Sequence, residues 1–371
     1  MLVTMDAATP RAFPDAAVVA SLLQRIGERA ASTREVGPWE SGNFADLAET
    51  GCLAGWIAAE DGGTAASEPA IIEFLVSLAA CCLTTALALT QWASAVRILS
   101  RGDVATRGRF LPDLMCGRQR TTVGISQLTT SRRHLTKPVM AATPTDTGWR
   151  LEGLCPWVTG ADSVHTLVTG AVVTPAAGGE AEPRFFVVET NQPGVTIEPP
   201  LAMLALSGSR TSCVRLTQVE PAAEIVPTAA AGPQTGGLGT TALALGSTQA
   251  ALRLLKEEAT RRDSLAPIVV GLRQEADAVA DQLRTATRNG IEQAARNTLR
   301  QRANALVTRS AQAALTASKG AGFITGHPAE RLLRESMFFL VWSCPQPVTD
   351  SWLCDLAGLA ESLPGEAPQP V

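Results

Sequence analysis

The sequence predicts a mainly α-helical chain with a single β-rich insert, and three observations carry that expectation. Apolar residues recur at helical spacing up to about residue 117 and again after residue 228. Between those stretches the segments are short, rich in β-branched and aromatic residues, and punctuated by glycine, proline and aspartate. The composition, 46% hydrophobic and 18% charged over 371 residues, supplies a large core and excludes a disordered chain. The 31 basic residues do not outnumber the 35 acidic ones, so no nucleic-acid partner is expected.

Taken in order, "VVASLLQRI" and "FADLAETGCLAGW" place apolar residues on one helical face, and "AEDGGTAAS" reads as a turn. The run from Phe74 to Val96 carries no charge and is long enough to span a bilayer. Ser77, Thr84, Thr85, Gln91 and Ser94 interrupt it, which favours a buried helical hairpin and no membrane partner. "GDVATRGRFLPDLMCG" reads as a short helix ended by Gly117. The insert shows "TTVGISQ", "GWRLEG", "HTLVTGAVV", "RFFVVET" and "TSCVRLTQV" as strands of an antiparallel unit ending near Pro227. Beyond it, "TALALGSTQAALRLLKEEATRR" and the long stretch to "ASKG" return to helical period. In "GHPAERLL", Pro328 suits a first helical turn and Glu330 suits the positive end of that helix. The expected domains are residues 1–117, 118–227 and 228–371.

The eight cysteines (52, 81, 82, 116, 155, 213, 344 and 354) form no CxxC pair and no zinc spacing, so no metal site is expected. Scattered among apolar residues, they read as small core hydrophobes in a reducing compartment. "MLVTMDAATPRAF" shows neither a basic n-region nor an apolar h-region, and a cytoplasmic location is expected.

The words and their order resemble the acyl-CoA dehydrogenase family. "FLPDLMCG", "GWRLEGLCPWVTGADSVHTLV", "LSGSRTSCVRLTQVEPAAEIVP" at 206–227 and "KGAGFITGHPAERLLRES" resemble that family's segments in its order. The resemblance covers nearly the whole chain. It implies an N-terminal helical domain, a middle β-barrel, and a C-terminal four-helix bundle that assembles as a homodimer or homotetramer. It also implies FAD and a small-molecule acyl thioester or related ligand, oxidised at its CH–CH group, with the cofactor carrying the hard chemistry.

On that resemblance Trp157 would face the flavin ring and Thr159 would bond its edge, an aromatic face and a short hydroxyl being suited to those tasks. Without it they read as a core tryptophan beside a strand threonine. Gln127 and Thr129 fall where residues bond the flavin's pyrimidine edge. Arg132 and Arg133 replace a glycine–serine pair, and either grip CoA phosphates or form a solvated turn. Arg262 matches a pyrophosphate-binding arginine, although "RRDSLAP" lacks the phenylalanine and glycine that should follow, and the plain alternative is a solvated helix-face arginine. At the glycine-rich turn Gly320 and Gly322 remain, while Thr316 replaces a glutamine.

The catalytic glutamate is missing. Aligned from Arg331 and Arg334, the family's glutamate position holds Ser343, in the apolar helix end "FFLVWSCPQP". Serine cannot abstract an α-proton unaided, because a base needs a pKa near the working pH. The alternative glutamate position reads as Gly236. Glu335 lies roughly 12 Å away along a helix, Asp350 lies on an unspecified path, and Cys344 reads as an inert thiol. Three functions stay open: an acyl-CoA dehydrogenase-like oxidoreductase with a non-standard base, a non-catalytic binding or assembly protein that has lost the flavin site, and a flavin-dependent monooxygenase.

Overall fold

The change of hydrophobic period along the chain is realised in three dimensions as helices, a sheet, and helices again. The computed structural model describes residues 13–32, 37, 39, 42–129, 139–173, 182–225 and 237–358. Two compact units share the chain: Met1–Ile71 with Thr84–Gln234, and Ile72–Leu83 with Thr235–Val371.

The helices before the sheet are α1 (Ala16–Ser32), α2 (Asn43–Glu49), α3 (Glu68–Cys81), α4 (Leu83–Leu99) and α5 (Val104–Met115). α1 buries Leu22, Ile26 and Ala30, one residue per turn on one face. Asn43 is fully buried; it accepts from Arg29 Nη1 (2.8 Å) and donates to Thr85 Oγ1 (2.9 Å), joining α1, α2 and α4. The uncharged run from Phe74 folds as two helices broken at Cys82, and no helix among the described residues is long and apolar enough to cross a membrane. α5 starts on Asp103, which accepts from the Thr106 amide at 2.7 Å, and the chain leaves it through Gly117 at φ +74°.

The insert contains β1 (Thr121–Gly124), the single-turn α6 (Ser126–Thr129), β2 (Met140–Thr145), β3 (Gly148–Val158), β4 (Thr166–Val173), β5 (Glu182–Glu189), β6 (Val195–Ile197), β7 (Ser212–Val219) and β8 (Ala223–Ile225). The expected barrel is instead an eight-stranded mixed sheet in the order β6-β7-β3-β2-β4-β5-β8, with β1 beside β4. Two features keep it open. One edge of β4 is shared, β1 pairing in parallel with residues 166–169 and β2 meeting Val172. The terminal strands β6 and β8 have only three residues each, too few backbone groups to sustain a second ladder. Inward-facing Leu151, Cys155, Leu167, Phe186, Val214 and Leu216 form the core of this sheet.

The second unit is built from α7 (Leu238–Ala259), α8 (Ala266–Asn289), α9 (Gln293–Gly322), α10 (Pro328–Phe338) and α11 (Gln346–Ala357). α7 packs on α8, α9 and α10, and α9 also carries α11. At Gly246, α7 runs against the part of α3 that belongs to this unit, so closely that an added Cβ would overlap the Val76 carbonyl and press on Ala79. Arg253 on α7 donates to the Ala80 carbonyl, fixing the same crossing. Gly246→Val should therefore destabilise this unit by about 1–3 kcal/mol, read as a lower midpoint in urea melts followed by circular dichroism. An unchanged midpoint would mean that the α3–α7 approach is looser than described.

Candidate functional site

In the sheet unit the site begins with a break in alternation along β3. Leu151 and Cys155 point inward at even spacing, but Val158 is also buried, so one residue too many lies between them. The register with β7 shifts between Cys155 and Val158, and the bulge contains Pro156, which has no N–H to give to a ladder. Trp157 is thereby turned out to 52% exposure, unusual for an indole on a strand where Cys155 and Val158 are fully buried. A second shift, across Gly153, is matched by Gln218 on β7 at φ +53°.

Just past the bulge Thr159 is buried. Its hydroxyl lies 3.4 Å from that of Thr211, which lies 2.9 Å from that of Ser209. The Gly160 amide donates to the Ser209 carbonyl at 2.8 Å, and Gly160, at φ +65°, leaves no space for a Cβ against the Trp39 ring. Ser209 and Thr211 belong to a tight turn held by two left-handed residues, Leu206 (φ +62°) and Arg210 (φ +47°). Arg210 Nε closes the rim by donating to both oxygens of Asp162, at 3.0 and 2.9 Å.

Behind β3, Gln127 on α6 is turned into the sheet. Its Nε2 donates to the Gly124 and Gly170 carbonyls (3.2 and 3.0 Å) and to Thr169 Oγ1 (3.3 Å), while its Oε1 is buried without a partner among the described residues. Cys155 Sγ lies 3.1 Å from Thr169 Oγ1. Burial pushes the Cys155 thiol up to about 12, and the hydrogen bond with Thr169 acts in the opposite direction. Thr129 ends α6; its side chain, with Arg132 and Arg133, lies outside the described residues, as does Gly236.

In the helical unit Arg262 is committed. Its Nη2 donates to Glu258 Oε2 at 2.7 Å and to the Ala317 carbonyl, tying the end of α7 to α9. Thr316 donates to the Gln312 carbonyl (2.9 Å). Gly320 faces open space just after Lys319, which breaks the helical path at φ +52°, whereas a Cβ on Gly322 would crowd Ser318. The sequence reading ran the helix on to the proline, but α10 stops at Phe338 and Phe339–Ser343 form a turn, with Ser343 at φ +46°. Buried side chains from α9 hold this turn. Asn304 Nδ2 donates to the Phe339 carbonyl (2.9 Å) and Arg300 Nη2 to the Trp342 carbonyl (3.2 Å), while the last α10 carbonyls, Ser336 to Phe338, accept from the turn's own amides. Phe338 stacks on Trp342 at 4.9 Å, so the apolar helix end packs on itself. Asp350 lies on α11 and accepts from Gln346 Nε2 at 2.7 Å.

Trp157 and Thr159 are thus brought together at one end of β3, with Gln127 beneath the same strand. Arg262, Gly320 and Ser343 belong to the other unit. Thr169, Ser209, Thr211, Arg300 and Asn304 were not legible as site residues; the one available signal was Pro156 inside a strand pattern, which marks a bulge. Residues of the sheet unit fit a flavin: an exposed aromatic face, a short hydroxyl chain beside it, and a buried acceptor on Gln127 with no donor of its own. Arg262 lies in the other unit, with its Nη2 held by Glu258 and the Ala317 carbonyl.

No family model matches the sequence and no curated protein does. Solved structures do. Glutaryl-coenzyme A dehydrogenase in complex with glutaryl-CoA aligns over 93% of this chain and 95% of its own, at 18% identity and a TM-score of 0.78. Butyryl-CoA dehydrogenase from Megasphaera elsdenii aligns over 94% and 99%, at 18% identity and a TM-score of 0.73. Dibenzothiophene monooxygenase from Paenibacillus sp. A11-2 aligns over 92% and 97%, at 15% identity and a TM-score of 0.71. The chain therefore has the acyl-CoA dehydrogenase fold over almost its full length.

Two outcomes follow from this geometry. Cys155 should resist alkylation in the folded protein and react only on unfolding, while exposed Cys116 reacts freely, as peptide mass mapping will show. The sign of its linkage is also set. The folded state keeps a proton that the unfolded state releases near 9.0, so Cys155 lowers stability as pH rises from about 9 towards 12. Separately, Ser343→Gly should raise stability by about 1 kcal/mol in denaturant melts, because glycine takes a left-handed backbone without strain. A loss of stability would mean that the Ser343 side chain holds the turn.

Proposed function

We propose that this chain is a flavin-dependent oxidoreductase of the acyl-CoA dehydrogenase type, acting on the CH–CH group of an acyl thioester or similar ligand, with a base that is not residue 343. The observation that carries the reading is the outward-turned Trp157, beside the Thr159 hydroxyl chain, in a chain of this fold. Flavin is the cofactor that fits, and when bound it supplies the hydride acceptor. Trp157 offers it a ring face and Thr159 a hydroxyl, and the Gln127 Oε1 is an acceptor in want of a donor. Gln127 orients no further, because its amide nitrogen is held by Gly124, Thr169 and Gly170. Arg132 and Arg133 are proposed to meet the phosphates of a CoA-type ligand, and Arg262 and Gly320 to serve the cofactor from a second copy in a homodimer or homotetramer.

Proton abstraction needs a carboxylate, and the α10–α11 turn offers serine, cysteine and proline at 343–345. A glutamate restored at 343 would also have to sit on a left-handed backbone, which costs it about 1 kcal/mol before any chemistry. That same serine favours a second reading, a flavin monooxygenase, since oxygen chemistry requires no α-proton base. The name of one structural neighbour, dibenzothiophene monooxygenase, lends this reading a precedent on the fold.

The test begins with colour. Purified protein should carry, or take up, FAD or FMN, and Trp157→Ala should weaken that binding by about 0.5–1.5 kcal/mol in fluorescence titration. Anaerobic mixing with a panel of acyl-CoA thioesters should then bleach the bound flavin. A protein that stays colourless with either flavin added overturns both enzymatic readings and leaves a binding or assembly role. One that holds flavin which no thioester reduces supports the monooxygenase.

A further inference from the structure

We propose that Arg300 and Asn304, one helical turn apart on α9, form a binding site for a small monovalent carboxylate inside the helical unit. Arg300 is 1% exposed, yet among the described residues it makes one hydrogen bond, to the Trp342 carbonyl, and forms no ion pair. Its Nε and Nη1 are buried and have no acceptor. Asn304 repeats the pattern: its Nδ2 serves the Phe339 carbonyl while its buried Oδ1 has no donor. Two side chains spaced to share a helix face thus each finish their work on the α10–α11 turn with polar atoms to spare. Burial pushes the Arg300 guanidinium down to about 10, so it keeps its charge at neutral pH, and Cys344 is the titratable neighbour that its charge feels.

A buried cation with one neutral partner is an expensive arrangement, and an anion is the ligand that relieves it. Charge selects the class. One positive charge is matched by a carboxylate, whereas a phosphate near its second ionisation would bury surplus negative charge. The Asn304 Oδ1 suits a donor that accompanies the carboxylate, either a hydroxyl of the ligand or a bridging water. The site lies close to solvent: Val341, next to the residue that Arg300 bonds, is 78% exposed, and Ser343 and Cys344 are half-buried.

The test is a set of thermal melts on the full chain in sodium acetate, sodium chloride and sodium phosphate at matched ionic strength. Neither flavin nor thioester is added, so the outcome is independent of the function proposed above. Acetate should raise the melting temperature saturably above chloride, and phosphate should not. Arg300→Met, which removes the charge at similar volume, should fold and lose the acetate response. Arg300→Lys, which keeps the charge but not the planar donor set, should weaken acetate binding at least about tenfold. Equal melts in acetate and chloride overturn the proposal and leave buried water as the partner. A response that survives in Arg300→Met is adventitious and overturns it too. Should Arg300→Met not fold, an undiminished response in Arg300→Lys has the same force.

Discussion

The carbonyls of the turn after α10 must find donors, and how they find them organises the helical unit. The last α10 carbonyls, Ser336 to Phe338, accept from the turn's own amides, which leaves those of Phe339 and Trp342 to be met from elsewhere. Here two buried side chains of α9 reach across, Asn304 to Phe339 and Arg300 to Trp342. Each bond to a buried acceptor is worth about 1 kcal/mol, and one from a charged guanidinium about 1.5–3 kcal/mol. The cation also binds the turn to the bundle: without Arg300 the Trp342 carbonyl would lose its donor. The same two residues fix where Ser343 sits, so packing on α9 decides what the α10–α11 turn presents.

In the sheet unit the governing constraint is the ladder that Pro156 cannot join. An extra residue between Cys155 and Val158 switches the face of the strand, keeps Val158 in the core and drives Trp157 outward. Everything proposed for the flavin depends on that switch, because a regular strand would alternate differently past Cys155. Gln127 meanwhile spends its amide on the sheet, donating to Thr169, Gly124 and Gly170. A residue expected to greet a ligand is thus mostly a structural fastener with one oxygen left over.

The longest patterns were the most legible. Apolar spacing in "VVASLLQRI" became α1, the charge-free run became α3 and α4, and five of the strand words became β1, β3, β4, β5 and β7. Short strands were not legible: β6 and β8 have three residues each, shorter than one alternation can signal. The "SQ" that ends the strand word "TTVGISQ" begins a turn of helix, Ser126–Thr129, since four residues carry no period and Gln127's bonds decide the matter. The open sheet was equally hidden, because sharing one edge of β4 between β1 and β2 is a pairing choice among distant segments.

By itself the sequence determined the order of helices, sheet and helices, the absence of a glutamate at position 343, and the indole at 157, because periodicity and residue identity are local properties. Tertiary structure alone decided which way Trp157 faces, that Arg262 Nη2 is held by Glu258 and Ala317, and that Arg300 is a buried cation holding the turn after α10. An arginine in "NTLRQRANAL" looks like any other charge on a helix. Its charge is costly only once Leu299, Ala303 and Phe339 have closed the bundle to water, and that closure is made by residues far apart in the chain.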